Sequence, residues 1–420
     1  MKRLLPLLII AITVLCSVDW AVAQGEVSPE KAVQTEKIQV DTLQPVTIGA
    51  ETTSTEDSSD NDLDNQLQQL DLSQLQQFID QIDKEVGAYV PDFSFDKVIA
   101  DIRKGDLDLN FIGFLKGLTE FFFHELITHV SLLGRLVVLA VICAVLHNLV
   151  DALDGSTGKL AYTIAYLVLM AIALGSFTGA VKIAGNAVEQ MVNFVQALLP
   201  VLLTLLAAIG GISSAALLHP FIIAALGLLG TLIKDFVFPV IYFAAVLGIV
   251  NHISDRFKVS RLSGLLKQVG IASLGIFLTL FIGFLGLQGV AGAVADSVAL
   301  KTAKFMTGTF VPVVGKMFAD AVEVVLGTSL ILKNAIGLVG IIILFILCAF
   351  PVVKIIAMVI VYRLAAALVQ PIGDSNVADA LDTMAGMLTL LFGAVASVGL
   401  MFFIAVAVIV GLGNFNVMLR

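Results

Sequence analysis

Charged residues are scarce in this sequence. They make up only 14% of the 420 positions, whereas apolar residues make up 58%, and the mean hydropathy is +1.00. A soluble globular domain carries about 25% charged and about 45–50% apolar residues. The chain also has continuous apolar stretches of about 20 residues, the length that a helix needs to cross the hydrocarbon core of a bilayer. We therefore predict an all-α, polytopic membrane protein in the lipid bilayer, and not a soluble enzyme.

Cysteine is almost absent as well. Of the three cysteines, Cys16 lies in the N-terminal apolar segment, and Cys143 and Cys348 lie in later apolar stretches. The polar part of the chain between residues 24 and 110 has none, so a disulfide framework is excluded there.

Basic residues are few in the first third of the chain. Between Gln24 and Glu125 there are 21 acidic residues against 7 basic ones, whereas from Leu126 onwards 15 basic residues outnumber 11 acidic ones. Binding to nucleic acid requires a basic face that can neutralise phosphates. The acidic first third therefore argues against a nucleic-acid partner.

The first 23 residues have the pattern of a signal peptide. Lys2 and Arg3 precede an apolar run, and Ala21 and Ala23 supply the small residues of an A-x-A cleavage site. We predict cleavage after Ala23, which leaves Gln24 at the start of an exported segment. The alternative is an uncleaved first transmembrane helix.

The exported segment divides into two parts. Residues 24–66 are acidic and rich in Ser and Thr, with little apolar surface to bury, and this composition predicts a disordered tether. Residues 67–130 form a predicted amphipathic helical region that begins with a helix at Asp71. Within it, Asn110–Val130 is amphipathic and aromatic, as expected of a helix on a membrane surface. The alternative is a small soluble helical bundle.

Residues 131–413 form the predicted polytopic membrane domain, with seven to nine spans. Two regions are ambiguous: Pro220–Val250 contains Lys234 and Asp235 at its middle, and Ile355–Val369 is short. The clear spans are Ser131–Val150, Leu160–Val181, Phe194–Leu218, Val269–Leu287, Ala335–Val353 and Met384–Leu412.

One loop between the spans is strongly basic. Residues 251–268 contain four basic residues, which predict a cytoplasmic location by the positive-inside rule: Arg256, Lys258, Arg261 and Lys267. If the N-terminal segment is exported, an odd number of crossings must precede this loop. That condition favours a split of Pro220–Val250 into two short spans.

The segment Asp296–Asn334 is too polar for a simple span and too apolar for an ordinary loop. Non-helical backbone at membrane depth is tolerated only where protein or water covers it. We therefore predict an assembly surface or a conduit lining here; the alternative is a pair of amphipathic helices resting on the membrane. The candidate residues are Lys301, Lys304, Pro312, Gly315, Lys316 and Asp320.

No motif in the chain predicts catalysis, a metal or another cofactor. His124 and His129 flank Glu125 in a zinc-protease-like pattern, but they are five residues apart, which turns them about 140° away from each other on a helix. Gly315 and Lys316 lack the other residues of a phosphate loop. We therefore predict that the protein is not an enzyme.

Several longer stretches resemble the stage III sporulation protein AE family of endospore-forming bacteria. They are FHELITHVSLLGRL, GGISSAALLHP, DRFKVSRLSGLLK, ILKNAIGLVG, AAALVQPIGD and, above all, QGVAGAVADSVALKTAKFMTGTFVPVVGKMFADA. The resemblance extends from about Leu70 to Gly413. It does not include the acidic tether.

The resemblance implies a multi-pass protein of the mother-cell membrane that faces the forespore. It implies partners among the other stage III sporulation proteins of the same operon and, indirectly, stage II sporulation protein Q across the intermembrane space. The implied function is that of the membrane-core subunit of a secretion-like channel complex that late spore development requires. The alternative from another class is a stand-alone secondary transporter with broken helices. Inverted repeats would support that alternative, and the sequence shows no convincing internal repeat.

Overall fold

The computed structural model describes the backbone of residues 76–78, 111–153, 156–252, 259–310, 314–372 and 375–418. Their side chains are described except at 111, 149–157, 300, 303–326 and 415–418. All of these residues belong to one compact unit, Ser54–Arg420. The predicted signal cleavage site at Ala21 and Ala23 and the predicted tether lie outside the described residues.

The described part of the chain is helical and contains no strand, so the all-α prediction is confirmed. A π-helical turn at Ile233–Val237 joins α4 to α5, and a short 3-10 helix at Gln370–Ile372 follows α7. The helices are α1 Phe111–Thr128, α2 Val130–Leu153, α3 Ser156–Ala208, α4 Ile212–Leu232, α5 Phe238–Asn251, α6 Ser260–Phe310, α7 Val314–Val369 and α8 Ser375–Met418.

Six stretches of helix among the described residues are long and apolar enough to cross a membrane, which confirms a polytopic membrane protein. They are fewer and longer than the seven to nine separate spans expected. The predicted spans Leu160–Val181 and Phe194–Leu218 largely fall in α3, and Ala335–Val353 and Ile355–Val369 both fall in α7. The six stretches are Ile112–Asn148, Gly158–Ala208, Ile212–Asn251, Ser260–Ala299, Gly327–Ile372 and Ser375–Asn414.

The region Pro220–Val250 is not split into two spans. It continues through the π-helical turn, which contains Lys234 and Asp235. An exported N-terminus requires an odd number of crossings before the basic loop. Three long helical stretches precede this loop, so the requirement is met without a split. The prediction of a cytoplasmic loop is therefore compatible with an exported N-terminus without the split.

The helices are much longer than a bilayer is thick. Helix α3 has 53 residues, which corresponds to about 80 Å at about 1.5 Å per residue. Helix α7 lies beside it over much of this length: Tyr362 Oη donates to the Ala173 carbonyl at 2.8 Å, and a Cβ at Gly340 would touch the Leu198 side chain. The bundle is therefore tall, whereas the hydrocarbon core measures about 30 Å.

The charged residues Lys182 of α3 and Lys354 of α7 both lie between these two contacts and mark the middle of the bundle. We call the two ends the basal half and the distal half. The basal half contains α2, α5 and residues 156–181, 260–271, 357–369 and 375–390. The distal half contains α4 and residues 183–208, 273–299, 327–350 and 395–414.

The core of the bundle is built from α3, α7 and α8. In the most apolar 18 residues of the α7 and α8 stretches, 56% of the residues are buried, whereas in those of the α6 stretch only 17% are. Helix α6 therefore lies at the edge, and one side of it is open along its length. Helix α1 packs on α7, where the ring centroids of Phe121 and Phe350 are 4.7 Å apart. The α1 face that was expected to lie on a membrane surface thus contacts protein at Phe121.

Candidate functional site

The predicted assembly or conduit segment, Asp296–Asn334, is formed by the end of α6 and the beginning of α7. The backbone is helical up to Phe310 and again from Val314. The backbone on either side of residues 311–313 is therefore helical, and both the predicted assembly or conduit role and the alternative of helices resting on the membrane stay predictions. Lys301 is exposed, and Pro312 lies outside the described residues. Lys304, Gly315, Lys316 and Asp320 lie on these helices, with side chains that are not described.

Asp296 fixes the first end of this segment to the distal half. The residue is only 1% exposed, and its carboxylate accepts hydrogen bonds from the backbone N–H groups of Ser213 and Ser214, at 2.7 and 3.1 Å. These N–H groups belong to the first turn of α4, where no intrahelical carbonyl is available to them. A carboxylate there also interacts favourably with the positive end of the helix dipole. Asp296 therefore caps α4 from a position about 80 residues further along the chain.

Gly292 brings the two helices into close contact next to this cap. A Cβ at Gly292 would lie 2.8 Å from the Cα of Ser214. No real Cβ reaches that distance from a backbone atom without a shift of one of the helices. The glycine therefore allows α6 to approach α4 closely enough for Asp296 to reach the Ser213 N–H group.

Lys333 fixes the second end of the segment. It is 0% exposed, and its Nζ donates to the Val410 carbonyl of α8 at 2.8 Å. The next residue, Asn334, donates through Nδ2 to Asn414 Oδ1 at 3.1 Å. Among the described residues, no carboxylate pairs with Lys333. Both ends of the predicted segment are thus held in the distal half by buried polar contacts.

The connection between α3 and α4 reaches the same end of the bundle. Gly210 has φ 90°, which a residue with a side chain rarely adopts. Gly211 then precedes α4. Both glycines fall inside the predicted span Phe194–Leu218, but they form the turn that exposes the α4 N-terminus to Asp296. The Gly-Gly pair followed by two serines was the available signal, because such residues are typical of a turn and a helix start.

Charged side chains form a second polar region at the middle of the bundle. Lys234 Nζ lies 2.6 Å from Glu189 Oε2, and both side chains are about half exposed. On another side of the bundle, Lys354 Nζ lies 3.9 Å from Glu125 Oε1. Glu125 is also 3.8 Å from His129, so two of the three residues of the zinc-protease-like pattern belong to this polar region.

The exposed face of α3 changes character at this middle level, whereas that of α6 exposes apolar residues on both sides of it, including Leu262 and Leu265 in its basal part. In α3, the exposed face is apolar in the basal half, at Leu160 and Ile164, and polar in the distal half, at Asn193 and Thr204. In α6, the basal end exposes the basic residues Arg261 and Lys267. Its distal part exposes Leu280, Leu287, Val290, Val294 and Val298, with Leu287 73% exposed.

The basic loop expected in the cytoplasm is described only in part. Arg261 and Lys267 are exposed at the start of α6, at the basal end of the bundle, whereas Arg256 and Lys258 lie outside the described residues. The orientation of the loop stays a prediction. Within the described ranges, no group of three or more His, Cys, Asp or Glu side chains could hold a metal ion.

Comparisons with known proteins agree with the resemblance in the sequence. A family model described as stage III sporulation protein AE matches residues 93–413. The chain belongs to the stage III sporulation protein AE family. It is 39% identical over 352 residues to stage III sporulation protein AE of Bacillus subtilis (strain 168). The aligned residues cover 84% of this chain and 88% of the relative. No solved structure matches. The family assignment gives the protein a role in sporulation, and its apolar helices make it a membrane protein.

Proposed function

We propose that this protein is the membrane-core subunit of a secretion-like channel complex that links mother cell and forespore. The observation that carries this proposal is the height over which apolar side chains are exposed. On α6, exposed apolar residues extend from Leu262 to Val298, a distance of about 54 Å along the helix. Even at a tilt of about 40°, near the upper limit for transmembrane helices, this stripe is taller than the hydrocarbon core of about 30 Å. Lipid alone cannot cover it, so other protein subunits must cover the rest.

The basal half fits the bilayer better than the distal half does. The exposed face of α3 is apolar in the basal half and carries Glu189, Asn193 and Thr204 in the distal half. Polar side chains on a lipid-facing surface are unfavourable. Arg261 and Lys267 at the basal end favour the cytoplasmic side of the mother-cell membrane. Phe78, from the region predicted to be exported, packs against Phe194 in the distal half, with ring centroids 5.8 Å apart. In this arrangement the distal half projects towards the forespore.

The apolar distal faces of α4 and α6 are then the surfaces that partner subunits cover. Ile212 of α4 is 68% exposed, and Val290 of α6 is 67% exposed. Side chains of this kind form large contiguous apolar patches only where another molecule binds. The name of the family implies association with other stage III sporulation proteins, and those of the same operon are the partners we propose. Contact with stage II sporulation protein Q would be indirect, across the intermembrane space.

The segment Asp296–Asn334 has a defined place in this proposal. Asp296 and Lys333 hold its two ends against α4 and α8 in the distal half. The residues between them extend α6 and begin α7 beyond these contacts. We propose that this part binds a partner or lines the conduit, with Lys301, Lys304, Lys316 and Asp320 facing protein or water.

Site-specific photo-crosslinking in sporulating cells tests the proposed subunit interface. A photoreactive amino acid at Val294, in the distal half of α6, should form adducts with other proteins of the complex. The same amino acid at Ile164, in the basal half of α3, is the matched control and should form none of these adducts. Equal crosslinking to lipid at both positions, together with the absence of partners after affinity purification of the chain, would favour a stand-alone transporter.

Substitutions in the segment test its role separately. Lys316→Ala and Asp320→Ala should leave protein level and membrane insertion nearly normal, yet impair spore formation after engulfment. Gly315→Leu should impair it more strongly, because its side chain would be placed where a partner or conduit requires close approach. If all three variants insert stably, recover every partner and sporulate like the parent, the segment has neither proposed role.

A further inference from the structure

A cavity opens between α3 and α5 at the middle of the bundle. Its volume is about 370 Å³, and most of its lining is apolar. Aromatic side chains of α5 form one wall, and α3 forms the other. The residues that characterise it are Lys182, Gly185, Asn186, Lys234, Tyr242 and Phe243.

The charged groups that line this cavity are both cationic. Lys234 is paired with Glu189 at 2.6 Å. Lys182 is exposed and has no hydrogen-bond or ion-pair partner among the described residues. Glu189 and Asp235 are nearby along the chain, but neither lines the cavity. The cavity therefore offers one neutralised and one available ammonium group, an arrangement that suits an anionic ligand group.

One residue of the lining, Gly185, also faces unfilled space. Gly185 is buried, yet a Cβ added to it would meet no atom within 4 Å. In a packed helical core, a buried glycine ordinarily has a neighbour against its missing side chain. The gap at Gly185 shows that this part of α3 faces volume that the chain does not fill.

The surface that continues from the cavity towards the basal end is apolar. The exposed face of α3 below Lys182 passes through Gly175, Ala171 and Val168. This distance is about 21 Å along the helix, more than the thickness of one leaflet, about 15 Å of hydrocarbon. Phe243 of α5, which lines the cavity, is 59% exposed beside it.

We propose that this cavity binds a membrane phospholipid, with its phosphate against Lys182, beside the Lys234–Glu189 pair, and its acyl chains along the apolar basal face of α3. Basic pockets between transmembrane helices bind lipid head groups in this way. The charge of the cavity matches a phosphate, and the apolar face below it matches acyl chains. A soluble anion would use only the first of these two features. This site goes beyond the proposed channel role and requires no partner subunit.

Lipid analysis of the purified full-length chain tests the site. After extensive washing in detergent, the wild-type chain should retain phospholipid, measured by native mass spectrometry and by extraction of acyl chains. Lys182→Ala should retain about fivefold less, and Lys182→Arg should restore retention. Gly185→Leu, which fills the cavity but keeps both lysines, should reduce retention to a similar extent.

Matched variants control for general effects. Lys267→Ala removes another exposed lysine, and Gly227→Leu adds a side chain at another glycine with no neighbour within 4 Å of its Cβ position. Both should retain lipid like the wild type, and thermal unfolding identifies any variant that fails to fold. The proposal is overturned if the wild type retains no phospholipid or only inorganic phosphate. It is also overturned if only one of Lys182→Ala and Gly185→Leu loses lipid, because the site needs both the cation and the space.

Discussion

The basal and distal halves of the bundle are built from the same helices but differ in what their surfaces expose. In the basal half, α2 and α3 expose apolar side chains, and the basic residues Arg261 and Lys267 lie at the end. In the distal half, α3 exposes polar residues, while α4 and α6 expose apolar ones. A single lipid layer cannot suit both patterns. Our proposal attributes this difference to a basal half that lies in lipid and a distal half that contacts other proteins.

The halves also differ in how their helices are held. The distal half contains the buried charges Asp296 and Lys333, each bound to backbone groups of a neighbouring helix. Burying a charge in the interior of a protein is costly unless it is hydrogen-bonded, so such groups persist where protein satisfies them. The polar contacts fix the position of α6 and α7 at the distal end, and with it the apolar face that we assign to partners.

The largest effect is expected at the close contact of α6 with α4. Gly292→Leu should destabilise the chain by about 3 kcal/mol or more, because overpacking against backbone forces a helix to shift. Gly286→Leu on the same helix is the control and should have little effect, since a Cβ there meets nothing within 4 Å. Thermal unfolding in detergent measures both. Equal destabilisation by the two variants would show that α6 does not depend on this contact.

The next effect concerns the cap on α4. Asp296→Ala leaves the N–H groups of Ser213 and Ser214 without their acceptor in a buried place, at a cost of about 1–3 kcal/mol. Asp296→Asn keeps an acceptor oxygen and should cost less, because only the charge is lost. In cells, Asp296→Ala should also weaken crosslinking from Val294, since α6 is no longer held on α4. Unchanged unfolding and unchanged crosslinking would contradict this role of the cap.

The smallest effect is expected at the basal end, where His252 lies 3.4 Å from Thr383 Oγ1. Burial lowers the pKa of His252, and Asp379 opposes this only in part. Between its ordinary pKa and the lowered one, the unfolded chain binds the proton more readily than the folded chain. Stability should therefore fall as pH falls through this window. The change in the free energy of unfolding should stay well below about 1.4 kcal/mol, the value that corresponds to one pKa unit, because the imidazole is only half-buried.

His252→Gln should remove this part of the pH dependence. Unfolding temperatures at pH 7.5 and pH 5.5, compared between the variant and the wild type, measure it. His219→Gln, at an exposed histidine of the distal half, is the control and should retain the wild-type pH dependence. A pH dependence that disappears in the control and persists in His252→Gln would contradict the assignment.

The helical membrane fold could be predicted from the sequence because it depends on apolar content and run length. The number of spans could not be predicted, because the charged residues Lys182 and Glu189 interrupt the apolar sequence of α3. The predicted spans therefore end before Lys182 and begin again after Glu189, whereas both residues lie at the middle of a continuous helix, where Glu189 contacts Lys234. Prediction of spans from hydropathy assumes that each apolar helix is about as long as the bilayer is thick. That assumption fails for a bundle taller than the membrane.

Both ends of the candidate segment carry buried polar contacts, at Asp296 and Lys333, and its role stays a prediction. Its partners could not be predicted, because Asp296 meets Ser213 and Ser214 from more than 80 residues away in sequence. The double glycine at Gly210 and Gly211 did signal a turn. The pair nevertheless falls inside the predicted span Phe194–Leu218, because small residues are also common in transmembrane helices, where they let neighbouring helices approach closely.

The central claim is that the basal half lies in lipid and the distal half is covered by protein. Depth-dependent quenching by brominated lipids tests it most directly, with a fluorescent label on a single cysteine in a background without Cys143 and Cys348. In membranes that contain the complete complex, a label at Ile164 should be strongly quenched and a label at Val294 should not. Strong quenching at Val294 with weak quenching at Ile164, or equal quenching at both, would contradict the account.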